Sequence, residues 1–206
     1  MIFAANNMQP QTQNEDHSSN VAMSSANAAP KGKSVRKVAA AGTAPDVNIE
    51  MPDLQEAQRL GRKFKVGPTY ELIKEIGAGS YGEVVLARHI DTRKLVAIKK
   101  IDQVFNIVQD AKRQLREVLL LRRLSGHRNI VQLYDILEPE DYSTFSCLYL
   151  VFEATPSDLR KVYRSGDFMM TEPHIKTILY NLLCGIKWIH SAGVVHRDIK
   201  PANVLI

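Results

Sequence analysis

The chain has 206 residues, a net charge of +5 and 45% hydrophobic residues, which is enough for one or two domains with an apolar core. Lysines and arginines are spread among acidic residues, a pattern that indicates mild attraction of anionic ligands and excludes a nucleic-acid groove. No stretch approaches the roughly 18–20 apolar residues of a membrane span, and the first residues lack the cationic segment of a signal peptide. We therefore expect a cytoplasmic protein that binds neither nucleic acid nor membrane. Cys147 and Cys184 stand singly in apolar surroundings, so buried free thiols in a reducing compartment are expected, without a disulfide or a metal site.

Residues 1–62 are predicted to form a disordered N-terminal extension. They are rich in Asn, Gln, Ser and Ala, contain four prolines and show no hydrophobic periodicity, a composition that cannot bury enough apolar surface to fold. A basic cluster at Lys31–Lys37 lies within them. This cluster is open to interpretation as a nuclear signal, a docking tail or a solvated linker, so a nuclear location stays open beside the cytoplasmic one.

Order is predicted from residue 63 onward, beginning with strands at Tyr70–Ile76, Glu83–Arg88 and Leu95–Ile101. A glycine-rich segment, Gly77–Gly82, separates the first two strands. A dinucleotide-binding glycine turn opens a helix, whereas this segment lies in a hairpin, and Val84 extends it to G-x-G-x-x-G-x-V. Because glycines let a backbone lie close over phosphates, the pattern indicates a hairpin that covers a nucleotide.

A lysine and a glutamate are candidates for a phosphate clamp. Lys99 ends the apolar strand segment V-A-I-K, and such an ammonium can reach the α- and β-phosphates if a carboxylate holds it. Glu117 is the only acidic residue between Ala111 and Leu124 in a helix predicted to start at Asp110. A surface pair within that helix is the alternative, but the motif order favours an ion pair with Lys99.

The next strand, Cys147–Glu153, is apolar on both faces and leads into a linker at residues 154–157. Here the backbone from Glu153 to Thr155 could bind the edge of an adenine ring, with Phe152 as a wall of the pocket. Core packing is the other interpretation of Phe152, and the two are compatible. Asp158 could meet the ribose.

A long amphipathic helix is predicted from about Thr171 to Ala192, with Pro173 in its first turn and Gly193 after its end. Its apolar positions recur at helical spacing and are expected to be core: Ile175, Ile178, Leu179, Leu182, Leu183, Ile186 and Ile189. A short strand at Val194–Val195 should follow.

Residues 196–203 read H-R-D-I-K-P-A-N. An aspartate held in an irregular loop, here Asp198, can accept the proton of a substrate hydroxyl during phosphate transfer. Asn203 can reach a metal ion that bridges nucleotide phosphates. A polar turn after a helix would explain His-Arg-Asp alone, but eight ordered positions make that explanation poor.

Together these motifs make residues 70–206 resemble the eukaryotic protein kinases of the serine/threonine class. Ile76–Gly82, Val96–Ile101, Asp110–Glu117 and Leu148–Glu153 are most similar to the mitogen-activated protein kinases, with cyclin-dependent kinases as the runner-up. The resemblance implies an α+β fold with a complete β-rich N-lobe at residues 63–154 and a truncated helical C-lobe at residues 155–206. ATP would lie between the lobes with Mg²⁺.

The resemblance also implies a set of site residues. Those expected to bind ATP are Ile76, Gly77, Ala78, Gly79, Ser80, Tyr81, Gly82, Val84, Ala97, Lys99, Phe152, Glu153, Thr155 and Asp158. Asp198, Lys200, Lys99 and Glu117 are expected to be catalytic, with Lys200 at the γ-phosphate, and Asn203 is the expected metal ligand.

The expected activity is transfer of the γ-phosphate of ATP to Ser or Thr of a protein substrate, with an upstream kinase activating the full-length form. These 206 residues contain no Asp-Phe-Gly segment and no Ala-Pro-Glu segment. Since electrostatic stabilisation and positioning supply nearly all of this catalysis, the residues taken alone are expected to be nearly inactive. Three hypotheses follow: a portion of a longer kinase, a non-catalytic module that binds partners, or a nucleotide-binding N-lobe without transfer.

Overall fold

The fold combines a five-stranded sheet with four helices, in a computed structural model that describes residues 3–4, 51–79, 82–166 and 169–206. The described strands are β1 (Phe3–Ala4), β2 (Tyr70–Gly79), β3 (Gly82–His89), β4 (Leu95–Ile101), β5 (Leu133–Ile136), β6 (Leu148–Glu153) and β7 (Val204–Leu205). The described helices are α1 (Leu54–Lys63), α2 (Val108–Leu124), α3 (Leu159–Ser165) and α4 (Glu172–Ser191), with a 3-10 turn at Pro201–Asn203. The expected α+β class is confirmed. Ser80, Tyr81 and the basic cluster Lys31–Lys37 lie outside the described residues.

The large sheet has the order β2-β3-β4-β6-β5, and every neighbouring pair is antiparallel. Its register places Val84 opposite Lys99 and Ala97 opposite Phe152. Side chains alternate between the two faces of each strand, so Val85, Ile98 and Val151 point the other way and are fully buried. One face of the sheet therefore packs on the cluster around Ile98. The other face carries the predicted site residues beside a second buried cluster that includes Ile101 and Leu150. Strands β1 and β7 form a separate parallel pair.

Helix α1 lies in the stretch predicted to be disordered, so that prediction is wrong for residues 54–62. Leu60 in the helix and Phe64 directly after it are buried at 0% and 1% exposure in the core of the sheet. Lys63 forms ion pairs with Glu75 of β2 at 2.7 Å and Glu83 of β3 at 3.0 Å. A helix of ten residues is marginal by itself, and its support comes from a sheet that lies later in the sequence.

A substitution at the N-terminal cap of α1 tests whether this helix contributes to the stability of the fold. Asp53 Oδ1 accepts a hydrogen bond from the backbone N–H of Glu56 at 2.8 Å. We expect Asp53→Ala to lower the free energy of unfolding by about 1 kcal/mol, because a first-turn N–H loses its partner. Asp53→Asn keeps a capping oxygen and should behave like the wild type in urea denaturation followed by circular dichroism. If the alanine variant and the wild type were equally stable, the claim that α1 stabilises the fold would be contradicted.

Helix α4 divides its predicted apolar positions between two environments. Ile178 and Ile189 are buried, which confirms them as core, whereas Ile175, Leu179 and Leu183 are each more than half exposed. For these three the prediction of core packing is wrong in the described part of the chain. Helical periodicity shows which positions share a face, but exposure depends on whether another element covers that face.

The predicted strand at Val194–Val195 is also wrong, because these residues have no strand structure. Gly193 takes φ = 71° after α4, as expected for a residue that ends a helix, and the N–H of Val194 donates to the carbonyl of Ile189 at 3.0 Å. A left-handed residue followed by a backward hydrogen bond closes the helix. The backbone donor of Val194 is therefore used by the helix end instead of a sheet.

The end of α2 is fastened to α4. The indole Nε1 of Trp188 donates to the carbonyl of Leu124 at 3.1 Å, and its ring stacks on His127 with centroids 5.3 Å apart. Leu124, Ile130 and Ile189 form a small buried cluster at the same place. The helix that carries Glu117 and the helix that leads to Asp198 are thus held by shared contacts.

Both cysteines are free, as the sequence predicts, but they are half-buried and not fully buried as expected. None of the helices in the described ranges has the length and apolar character needed to cross a membrane.

Candidate active site

A cavity of about 190 Å³ lies on the face of the sheet that carries Lys99. Residues from several strands of the sheet and from helix α2 form its walls. Nine predicted residues line it: Ile76, Gly77, Val84, Ala97, Lys99, Glu117, Phe152, Glu153 and Thr155. Three residues that were not assigned to the site complete the lining, namely Leu121, Val131 and Leu205. The sequence shows only that these three residues are apolar, and apolar residues occur both in a protein core and in the wall of a cavity. Their presence gives the cavity apolar walls that suit a flat heterocycle.

Three charged residues line the cavity, Lys99, Glu117 and Glu153. The Nζ atom of Lys99 and the Oε2 atom of Glu117 lie 3.4 Å apart. The side chains are 17% and 28% exposed, so the pair is partly shielded from water and its attraction is stronger than at a free surface. Buried Val118 and Leu121 anchor the turn of α2 that carries Glu117. The ion pair favoured from the sequence is therefore present, and it holds an ammonium inside the cavity.

The loop before β7 is organised around Asp198. The preceding residue, Arg197, has a left-handed backbone with φ = 66°. The N–H of Asp198 donates to Nδ1 of His196 at 3.1 Å. Asn203 Nδ2 donates to the carbonyl oxygen of Asp198 at 2.8 Å and to its Oδ2 at 2.9 Å. Hydrogen bonds from both sides thus hold the aspartate in one orientation within an otherwise irregular segment.

The carboxylate of Asp198 is stabilised in its charged form. Lys200 Nζ lies 2.9 Å from Asp198 Oδ2. The hydrogen bond from Lys200 and then that from Asn203 hold the pKa of Asp198 below its ordinary value. At neutral pH the group is therefore ionised and has a free lone pair with which to accept a proton.

Asn203 offers one oxygen ligand for a divalent cation. Asn203 commits its amide nitrogen to Asp198, which leaves its amide oxygen as the ligand atom, and Mg²⁺ takes oxygen ligands. In the described part of the chain no three His, Cys, Asp or Glu side chains come together in a metal-binding group. The residues fit a magnesium ion that draws its other ligands from phosphates and water, as is usual for this ion at nucleotides.

Among the described residues of the predicted ATP site, Ala78, Gly79, Gly82 and Asp158 do not line the cavity. Ala78, Gly79 and Gly82 belong to the ends of β2 and β3, and Ser80 and Tyr81 are outside the described residues. Asp158 caps α3 by accepting a hydrogen bond from the N–H of Lys161 at 2.9 Å. A contact of Asp158 with ribose stays a prediction.

Lys161 was not predicted, and it connects two parts of the site. Its Nζ donates to the carbonyl of Ile76 at 3.3 Å and lies 3.6 Å from Asp158 Oδ2. Helix α3 is thereby linked to the strand that carries the glycine segment. The sequence contains no motif for this link, because a lysine on a short helix is most often a solvated charge.

The residues that form this site belong to a region that is similar to a known protein family. The protein kinase domain family matches residues 70–206, and the chain belongs to that family. Protein kinase domains use ATP and divalent metal ions.

Several relatives are mitogen-activated protein kinases, which confirms the resemblance seen in the motifs. The chain is 45% identical over 143 residues to mitogen-activated protein kinase mpkA of Aspergillus fumigatus, covering 69% of this chain and 33% of the relative. It is 44% identical over 147 residues to mitogen-activated protein kinase 5 of Oryza sativa subsp. indica, covering 71% and 39%. The mitogen-activated protein kinase homolog NTF6 of Nicotiana tabacum is 43% identical over 148 residues, with the same coverage. The chain thus spans a third to two fifths of the length of these relatives.

Proposed function

We propose that this chain carries the ATP site and the catalytic loop of a serine/threonine protein kinase of the mitogen-activated type. The observation that supports this most directly is the Lys99–Glu117 ion pair inside a cavity with apolar walls. An ammonium at 17% exposure in such a place has little structural purpose, because two apolar residues would fill the space at lower desolvation cost. An anionic ligand with an apolar ring explains both features.

In this proposal the adenine ring packs between the apolar walls, with Phe152 behind it and the backbone from Glu153 to Thr155 along its edge. Lys99 neutralises charge on the α- and β-phosphates, and Glu117 keeps the ammonium oriented toward them. The glycine hairpin, Gly77–Gly82, covers the phosphates. Positioning and charge neutralisation are the main sources of rate in phosphoryl transfer.

Asp198 accepts the proton from the hydroxyl of the protein substrate as the hydroxyl oxygen bonds to the γ-phosphorus. The bond from that phosphorus to the oxygen bridging the β- and γ-phosphates breaks at the same time, and ADP is the leaving group. Lys200 leaves Asp198 for the γ-phosphate when ATP is bound, because the phosphate carries more charge than the carboxylate. Asn203 holds Mg²⁺ through its amide oxygen, and the metal ion supplies neutralisation of the phosphate charge. Asn203 Nδ2 keeps the aspartate oriented throughout.

The proposed partners are a protein with a Ser or Thr acceptor and an upstream activating kinase for the whole protein, in the cytoplasm or the nucleus. The names of the relatives support a mitogen-activated kinase role. The 206 residues contain no Asp-Phe-Gly segment, which would supply a further magnesium ligand. We propose that these residues by themselves bind ATP and transfer phosphate at a negligible rate.

Binding of MgATP to the 206-residue chain, measured by isothermal titration calorimetry, tests the proposal. Lys99→Met should weaken binding about tenfold or more, because charge-assisted hydrogen bonds are lost and Glu117 is left facing the phosphates. The matched control is Lys100→Met, which makes the same chemical change one residue later. The Lys100 ammonium pairs with Asp102 at 3.0 Å and does not line the cavity, so ATP binding should be retained. Equal losses in both variants, or no ATP binding by the wild type, would refute the assignment.

A further inference from the structure

A second depression, of about 470 Å³, lies beside the catalytic loop and shares no lining residue with the ATP cavity. It is lined by Asp158, Arg160, Lys161, Arg164, Ser165 and Ala202. Five of these come from α3 and its cap, and one comes from the 3-10 turn after Lys200. We call this depression the α3 groove.

The α3 groove carries positive charge that is not paired by any carboxylate of the described residues. Arg160 and Arg164 are exposed and four residues apart on α3, so their side chains lie on one side of the helix. Among the described residues, neither guanidinium has a carboxylate within ion-pair distance. Asp158 is already engaged, since it caps α3 and lies 3.6 Å from Lys161 Nζ. Three cations and one carboxylate leave a formal charge of +2 in the groove.

The α3 groove is fixed in place relative to Asp198. Ala202 lines it, and the next residue, Asn203, donates two hydrogen bonds to Asp198. On the other side, the start of α3 is tied to the end of the chain, because Ser157 and Ile206 exchange backbone hydrogen bonds at 3.0 and 3.3 Å. Ala202 and Asn203 are adjacent in the chain, so the α3 groove lies next to the turn that holds Asp198. A protein segment bound at Asp198 can therefore extend into the groove.

We propose that the α3 groove binds an anionic side chain of the protein segment that is phosphorylated, so that the kinase prefers acceptors flanked by Asp, Glu or a phosphorylated residue. This inference rests on the proposed function. Guanidinium groups recognise carboxylates and phosphates through paired hydrogen bonds. A membrane surface or a nucleic acid fits less well, because such ligands require clusters of about four to eight cations or more, whereas this concave site offers two guanidiniums that have no carboxylate partner in the described part of the chain.

The test uses the 206-residue chain without nucleotide and three fluorescein-labelled serine peptides of equal length. One has Asp and Glu around the serine, one has a neighbouring phosphoserine, and one has Asn and Gln at the same positions. Fluorescence anisotropy at low ionic strength keeps surface charge interactions from being screened. The variant is R160Q/R164Q. The control is R122Q/R123Q, which removes two exposed arginines of α2 and so makes the same change in net charge.

We expect at least one anionic peptide to bind about tenfold more tightly than the neutral peptide, as two exposed charge pairs allow. R160Q/R164Q should lose this preference and R122Q/R123Q should keep it. Equal binding of all three peptides would overturn the inference, as would a preference that survives in R160Q/R164Q. Tighter Arg160- and Arg164-dependent binding of a DNA duplex or of phosphatidylserine vesicles would also overturn it. Because nucleotide is absent, these results are independent of the ATP titration that decides the proposed function.

Discussion

Replacing Gly82 with alanine should destabilise the chain by about 3 kcal/mol, the sum expected from a strained backbone and an overpacked contact. Gly82 has φ = 116°, a conformation that residues with a side chain rarely adopt. A Cβ atom there would overlap the carbonyl oxygen of Lys100 on the adjacent strand β4. That carbonyl is backbone within a paired strand and cannot move aside without breaking the sheet. Urea denaturation followed by circular dichroism measures the loss, and ATP binding should weaken with it because the hairpin carries the glycine segment.

Gly61→Ala is the matched control for this change. Gly61 lies inside α1, and a Cβ atom built on it meets nothing within 4 Å. Alanine should therefore stabilise the chain by about 0.5–1 kcal/mol, because glycine is a poor helix former. If Gly82→Ala proves as stable as the wild type, the close approach of β3 to Lys100 is wrong and the geometry of the glycine hairpin must differ.

Replacing Asp198 with asparagine should lower phosphate transfer by roughly 10²–10⁴-fold, the range for loss of a general base. Asparagine keeps the shape of the side chain but cannot accept the hydroxyl proton. The assay uses a chimera in which residues 1–206 are followed by the part of mitogen-activated protein kinase 5 of Oryza sativa that comes after its matched region. Phosphate incorporation into a protein substrate is measured, and ATP affinity of the variant is measured separately. Affinity should be unchanged, because Asp198 does not line the ATP cavity.

The pH dependence of the same chimera provides a second readout. Without nucleotide, Lys200 and then Asn203 hold the pKa of Asp198 below its ordinary value. When Lys200 moves to the γ-phosphate, the hydrogen bond from Asn203 remains, so the proposed base should stay ionised throughout the neutral range. Its contribution should be constant there and be lost only as the pH falls through the lowered pKa. Asp141→Asn is the control, since Asp141 accepts hydrogen bonds from Ser143 and Thr144 in a surface turn and an amide oxygen can replace it. Transfer by Asp198→Asn within tenfold of the control would rule out the assigned role.

Much of the fold was predictable because its patterns are local. The strands of the sheet alternate or run apolar over a few residues, and α2 and α4 repeat their apolar positions with helical spacing. Helix α1 was missed for the opposite reason. Its stability depends on burying Leu60 and Phe64 against β strands that lie later in the chain, and no window of sequence around residues 54–63 contains that partner.

The candidate site was predictable where a motif names the residue type, as for Lys99, Glu117 and the loop around Asp198. The apolar walls were not, because Leu121, Val131 and Leu205 have the composition of ordinary core residues. The link from Lys161 to Ile76 and the arginines of the α3 groove were not predictable either. They depend on how α3 lies against β2 and the catalytic loop, and sequence spacing does not encode that arrangement.

From the order of its residues alone, this chain specified the chemical groups available to it: a glycine-rich segment between two strands, a cation, a lone acid on a helix and an aspartate in a loop. Tertiary structure decided which of these groups meet. Lys99 and Glu117 are 18 residues apart and become partners only because α2 packs beside β4. The chemistry that a residue can perform depends on its type, which the sequence gives directly. Which residues lie close together depends on the burial of apolar surfaces that are distant in sequence, and an active site requires both.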